Sequence, residues 1–268
     1  MRSCIIYVLL FILISLEADA QQTRQYKIVT IAFYNLENLF HPSNDPLTYD
    51  DDRTPTGKDR WTMVDYQRKL TRMARVISQI GTSTVGTPPT VVGVCEIENK
   101  TVLQDLIAHE ILEPYDYGIV HFDSPDRRGI DVALLYRKRL FTPISYQPYP
   151  LKLHHKEPPY RRIYTRDQLL VSGVLDGEKM HFIVNHWPSR SGGELSSSYK
   201  RMKAALLNRS IIDSIFSEEP YAKVITMGDL NDDPLSDSVL QGLRTEVTGA
   251  TLGLKQLFNP FERLFRKG

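Results

Sequence analysis

The stretch Ala222-Lys223-Val224-Ile225-Thr226-Met227-Gly228-Asp229-Leu230-Asn231 decides how the fold is read. Residues 222–227 are a short apolar run of strand character that passes directly into Gly228-Asp229-Leu230-Asn231-Asp232. Two other strand-like runs end in the same way. Residues 27–35 mix β-branched and aromatic side chains and lead into Asn35 and Glu37, and the nearly continuous apolar run 90–96 leads into Glu96 and Glu98. Layered α/β chains place their sites at strand ends, so these acids and amides are the candidate site. Residues two apart in an extended chain share a face, so Asp229 and Asn231 are expected to present a carboxylate and a carboxamide oxygen to one ligand. Oxygen donors of this kind suit Mg²⁺ or Mn²⁺, and the lack of clustered Cys and His argues against structural zinc. Turn capping explains a single such pair equally well, but three pairs at three strand ends weigh against it.

Working outward, Thr62 and Asp65 have the spacing of a capping box. Met63, Tyr66, Leu70, Met73, Val76, Ile77 and Ile80 then recur at three and four, which predicts a helix ended by Gly81. A second helix is predicted over residues 101–111, followed by strands over 117–122, 130–137 and 144–153. Asp176-Gly177 predicts a hairpin joining strands 168–175 and 179–186. Residues 196–216 read as a long helix with Tyr199, Met202, Leu206, Ile211, Ile212 and Ile215 in its apolar set. Strands in groups with long helices between them predict an α/β fold of two packed sheets with helices outside.

With 41% hydrophobic and 24% charged residues the composition is that of an ordinary globular chain, not a disordered or disulfide-stapled one. Lys plus Arg number 33 against 32 Asp plus Glu, so any affinity for nucleic acid must come from a local patch. Arg2, the apolar residues 5–16 and then Ala18-Asp19-Ala20 read as a secretory signal peptide over residues 1–20, which leaves one domain over 21–268. The apolar run is short for a membrane span, so no stable span is expected once the leader is removed. An uncleaved anchor is the competing reading. The product is then exported, to a periplasm or the outside, and of its two cysteines retains only Cys95.

His186 closes the hairpin's second strand, where an imidazole can donate a hydrogen bond to an anionic oxygen or transfer a proton. Arg127-Arg128-Gly129-Ile130-Asp131 offers guanidinium groups matched to phosphate, with Asp131 as the acid that holds one in place. Arg161, Arg162 and Arg166 beside Tyr160 and Tyr164 fit a nucleic-acid groove as well as they fit a solvated hairpin edge. There is no phosphate-binding Gly-rich loop ending in Lys-Ser or Lys-Thr and no Gly-x-Ser-x-Gly elbow.

Taken in order, these segments resemble the endonuclease/exonuclease/phosphatase superfamily. Tyr34-Asn35-Leu36-Glu37-Asn38 is similar to the family's first strand, and Val94-Cys95-Glu96 to the strand ending in its metal-binding Glu. Arg128-Gly129-Ile130-Asp131-Val132-Ala133 is similar to its central strand, Asn185-His186 to its first catalytic His, and Gly228-Asp229-Leu230-Asn231 to its Asp-x-Asn signature. The resemblance implies a four-layered αββα sandwich of two mixed sheets and metal-dependent phosphoester hydrolysis. Carried over residue by residue, Glu96 with Asn35 would hold Mg²⁺ or Mn²⁺. Asp229, oriented by Asn231, would position or deprotonate water, and His186 with Arg128 would stabilise negative charge on phosphorus, Asp131 being the acid that could hold an arginine in place. The implied substrate is a phosphoester, with DNA or RNA first, and the chain a monomer. A phosphomonoesterase or sphingomyelinase-like hydrolase is the alternative. The family's late Ser-Asp-His triplet has no counterpart, His186 being the last histidine. The expectation is therefore a chain lacking its C-terminal strands, which could also be an inactive remnant that binds phosphate ligands.

Overall fold

The computed structural model describes residues 27–267, so the expected signal peptide and Cys4 lie outside the described residues. Two four-stranded mixed sheets pack face to face. The first contains β1 (Ile31–Leu39), β2 (Val91–Ile97), β3 (Tyr117–His121) and β4 (Asp131–Arg137) in the order β1-β2-β4-β3. The second contains β5 (Phe141–Tyr149), β8 (Gln168–Leu175), β9 (Glu178–His186) and β10 (Lys223–Asp229) in the order β10-β9-β8-β5. Between β5 and β8 a small antiparallel pair, β6 (Leu153–His154) and β7 (Arg162–Ile163), stands apart.

Each sheet has one parallel pair at its edge, β1 with β2 and β9 with β10. Parallel neighbours need a long crossover, and here each crossover carries a helix: α1 (Met63–Gln79) for the first pair and α3 (Glu194–Glu218) for the second. The helices cover the outer faces. Leu36, Val92, Val94 and Leu135 pack against Tyr66, Leu70 and Ile77 of α1 and Leu103 and Leu106 of α2 (Lys100–Ala108). Leu170 and Ile183 pack against Ile211, Ile212 and Ile215 of α3. Between the sheets, Val91, Cys95, Val132 and Leu134 meet Leu169, Val171, Phe182 and Val184. The layers are therefore helix, sheet, sheet, helix.

The capping box at α1 forms as expected, with Thr62 Oγ1 accepting from Asp65 N at 3.3 Å and the Asp65 carboxylate accepting from Thr62 N at 3.4 Å. Gly81, which follows the helix, has φ +74°, a left-handed conformation that glycine adopts without strain. The Asp176-Gly177 hairpin also forms, both residues having positive φ. Met63 and Val76 are exposed, not part of the core face, because α1 turns Tyr66, Leu70, Met73, Ala74 and Ile77 toward the sheet. Leu206 of α3 is likewise exposed. β1 starts and ends four residues later than predicted, and α2 stops at Ala108. No helix among the described residues is long and apolar enough to cross a membrane.

Candidate active site

Strand alternation aims the site residues. In β1, Ile31 and Phe33 point between the sheets, so Asn35 does too. In β9, Phe182 and Val184 carry His186 to the same interlayer, and in β10 Ile225 and Met227 carry Asp229. Register completes the placement. Asn35 stands beside Cys95, and Asp229 stands beside His186, so both parallel pairs deliver side chains at their C-terminal ends.

Glu96 arrives differently. Cys95 packs between the sheets while Ile97 packs on the helix side, although residues two apart should share a face. The ladder shifts register between them, and Glu96 has φ +58°, the mark of a bulge that re-aims one side chain. Its carboxylate, His186 and Asp229 each offer a ligand atom, and these atoms lie within 4.8 Å of one another. Glu96 Oε1 is 3.6 Å from His186 Nε2. Asn35 Nδ2 donates to Asp229 Oδ2 at 3.2 Å, and Asn35 Oδ1 accepts from Glu37 N at 2.7 Å, which fixes the orientation of the amide. Asp229 Oδ1 accepts from Asn231 N at 3.0 Å. Asn35, Glu96, His186 and Asp229 therefore converge from two sheets.

The partner residues at the strand ends do not share the site as the two-apart rule expects. Glu37 is exposed. Glu98 is buried elsewhere, accepting from His41 N at 2.6 Å, and burial pushes its pKa up to about 7 against that bond. Asn231 donates its amide to Trp187 O at 3.0 Å and serves Asp229 through its backbone. The common cause is that Glu37, Glu96 and Asn231 all have left-handed φ, at 50°, 58° and 50°, so strand alternation ends there.

A cationic wall stands behind His186. The Arg166 guanidinium, buried, donates to His186 O at 3.2 Å and Trp187 O at 2.6 Å, and pairs with Asp126 Oδ2 at 3.0 Å. Asp126 also accepts from Arg128 Nε at 3.2 Å, Arg128 Nη2 at 3.3 Å and Arg128 N at 3.0 Å. Burial works to raise the Asp126 pKa, but the two arginines hold it below the usual carboxylate range. Burial first, then the charges of Arg166 and Arg128, push the His186 pKa down to about 3, so its imidazole is neutral, with Nδ1 buried and unpartnered. The expectation that Asp131 holds an arginine is corrected here. Asp131 pairs with His121 Nε2 at 2.9 Å and accepts from Ser124 N at 2.7 Å, and Asp126 takes that role. Arg166, which the sequence leaves open between groove lining and a solvated hairpin edge, is buried, so the solvated alternative does not hold for it, and it lines a cleft with Tyr164, Arg127 and Arg128.

Two buried polar networks fix the supporting backbone. Asn185 Nδ2 donates to Thr226 Oγ1 and Met227 O, and Asn185 Oδ1 accepts from Trp187 Nε1 at 3.2 Å and Asn208 Nδ2 at 2.7 Å, tying β9 to β10 and α3. Arg201 is fully buried, pairs with Asp232 Oδ2 at 3.0 Å and also bonds Glu194, which anchors the loop after Asp229. Sequence reasoning missed Asp126, Arg201 and Lys69, whose ammonium donates to Glu37 O and Asn38 O where β1 ends. The only local signal was Asp126 two residues before Arg128.

The donor set fits a hard divalent cation. Mg²⁺ takes one or two carboxylates plus waters at about 2.1 Å, so ligands on opposite sides stand about 4.2 Å apart. Glu96 and Asp229 can meet that spacing with a small contraction or a bridging water.

Comparison with known proteins agrees with this layout. The profile of the Endonuclease/Exonuclease/phosphatase family matches residues 30–268. A mannosyl-6-phosphatase of Bacteroides thetaiotaomicron superposes with a TM-score of 0.50 at 16% identity, over 81% of this chain and 70% of that one. An endonuclease/exonuclease/phosphatase family protein from the same organism does so with 0.50 at 18%, over 79% and 66%. TDP2 of D. rerio, humanized by 14 mutations, reaches 0.46 at 17%, over 79% of this chain and 64% of that one. The chain thus spans less than two thirds of that TDP2, and at these identities the likeness is one of fold. No curated protein matches the chain.

Proposed function

The chain belongs to the endonuclease/exonuclease/phosphatase family, and from that premise we propose that it is an exported, divalent-metal-dependent phosphodiester hydrolase acting on nucleic acid. One observation carries the reading: Glu96, His186 and Asp229 bring their ligand atoms within 4.8 Å of one another, between facing strand ends. Glu96, with Asp229 or the remaining lone pair of Asn35 Oδ1, would hold the cation. When bound, a divalent cation polarises a phosphoryl oxygen and offsets developing negative charge. Asp229 is held by Asn35 Nδ2 and Asn231 N, which fixes its carboxylate to orient the attacking water and take its proton. The neutral imidazole of His186 donates a hydrogen bond to a phosphoryl oxygen, and Arg128, clamped by Asp126, adds a fixed positive charge. Export rests on the leader-like residues 1–20.

Plasmid DNA, single-stranded RNA, sphingomyelin and an inositol phosphate, each offered with Mg²⁺ or EDTA, test the proposal. Nucleic-acid cleavage in Mg²⁺ alone, lowered at least about a hundredfold by Glu96→Gln, is the expected result. Preference for the monoester or the sphingolipid would replace the substrate assignment. Phosphate-ligand binding without product, or hydrolysis unaffected by EDTA, would overturn it.

A further inference from the structure

β10 is the outer strand of its sheet, and the sandwich is open on that side. A groove of about 1020 Å³ runs along it, lined by Ile31 and Phe33 of β1 and by Ile225 and Met227 of β10, with Phe258 and Phe261 at its rim. The first four belong to the layer between the sheets, so that layer is reached from outside here, and Phe258 and Phe261 are exposed. An apolar surface beside an unpaired strand is the setting for strand addition.

The backbone of β10 fixes which groups are free. Trp187 N donates to Asp229 O, so Asp229 turns its N–H and C=O toward β9, and by alternation so do Met227, Ile225 and Lys223. The N–H and C=O groups of Val224, Thr226 and Gly228 therefore point outward, where no strand among the described residues pairs with them. Nothing guards this edge. β5, at the opposite edge of the sheet, carries Pro143, Pro148 and a register shift between Pro143 and Ser145, each of which obstructs further pairing. From Val224 to Gly228, β10 has no proline, no charge and an unbroken register.

We infer that a second copy of the chain occupies this groove, β10 pairing antiparallel with its own counterpart about a two-fold axis through Thr226, in place of the monomer that the family resemblance implies. In this register the strand complements itself. Thr226 meets Thr226, and Val224 meets Gly228, as hydrogen-bonded pairs, which uses every outward backbone group. Between them Ile225 meets Met227, apolar against apolar, and Lys223 meets Asp229, cation against anion, on the face that carries the site. Two-fold symmetry repeats both contacts. Lys223 bonds Glu178 within its own chain at an exposed position, and its ammonium has donors left for Asp229 of the second copy. The dimer joins two four-stranded sheets edge to edge, and each copy sets a cation beside the Asp229 of the other. It does not depend on which reaction that site carries out.

Sedimentation velocity on the purified chain from about 1 to 100 µM is expected to show a monomer–dimer equilibrium. Lys223→Glu sets like charges opposite each other at both ends of the strand pair and should raise the dimer Kd at least about fivefold, with far-UV circular dichroism verifying that the chain still folds. Ile225→Cys/Met227→Cys should link covalently on oxidation, because opposed residues of a non-hydrogen-bonded pair have Cα atoms about 4.5 Å apart, within disulfide range. Neither single variant brings two introduced thiols together, so neither should link. A wild-type chain that stays monomeric throughout that range, whatever else then fills the groove, would overturn the dimer. So would a dimer whose Kd is unmoved by Lys223→Glu, or a double variant that links no better than the single ones.

Discussion

Asp126→Asn is expected to be among the most damaging single changes in the molecule, although Asp126 lies outside the cation cluster. It removes one charge and almost no volume. The carboxylate sits 3.0 Å from the Arg166 guanidinium, and both side chains are 6% exposed. At an effective dielectric of about 20, the gross attraction over that distance is about 5.5 kcal/mol. Water is excluded from the pair, so Arg166 cannot recover hydration when its partner is neutralised. Breaking such a pair from one side typically costs about 3–5 kcal/mol. Arg128, whose side chain is 55% exposed, returns to solvent and adds little. For a domain of this size, 1 kcal/mol corresponds to roughly 2–4 °C in Tm, so Asp126→Asn should melt roughly 6–20 °C below wild type. Scanning calorimetry with urea titration reads the change. The double variant Asp126→Asn/Arg166→Met should regain part of the loss, because no buried charge is then left alone, although His186 O and Trp187 O lose a donor. A Tm within a degree of wild type in the single variant, or a double variant less stable than the single, would refute the reasoning.

Glu96→Gly separates strain from chemistry. The left-handed φ of Glu96 suits glycine, so the variant should melt at or slightly above the wild-type temperature, by about 1 kcal/mol at most, while metal-dependent hydrolysis disappears. Asn185→Ala leaves Trp187 Nε1 without an acceptor and strips one from Asn208, which should lower unfolding free energy by about 2–3 kcal/mol in urea titration. His181 is buried, and burial lowers its pKa against the opposing pull of Glu219. A histidine kept neutral by folding favours the native state above its unfolded pKa of about 6.5. That contribution is lost as pH falls below it. Stability should therefore drop between pH 7 and pH 5, where His186, held neutral in the same way, adds to the loss, and His181→Gln should lessen the drop without abolishing it.

The layered fold was legible because periodicity and strand ends are local. The capping box at Thr62, the turn at Asp176-Gly177 and the apolar runs of β2 and β10 each announce themselves within a few residues. Three strand ends closing on one point could be read as soon as they were seen to end alike. The bulge that aims Glu96 was not legible, since nothing in Val94-Cys95-Glu96-Ile97 distinguishes a left-handed residue from an extended one. Pairing Asp131 with one of Arg127 and Arg128 failed for a related reason. Proximity in sequence suggested a contact, but β4 carries Asp131 to His121, and the turn before it brings Asp126 back onto Arg128. The buried roles of Arg166 and Arg201 were not legible, because only the assembled fold supplies their partners, Asp126 and Asp232.

Among the described residues, two groups of side chains could take a divalent ion, Glu96 with His186 and Asp229, and His121 with Asp123 and Asp131. Calorimetric titration of Mn²⁺ into the purified chain distinguishes them. If the interlayer site holds the ion, one Mn²⁺ binds, its affinity falls at least about tenfold in Glu96→Gln and in Asp229→Asn, and Asp131→Asn leaves it unchanged. Undiminished binding in Glu96→Gln, or loss of binding in Asp131→Asn alone, would contradict the assignment and with it the hydrolytic role.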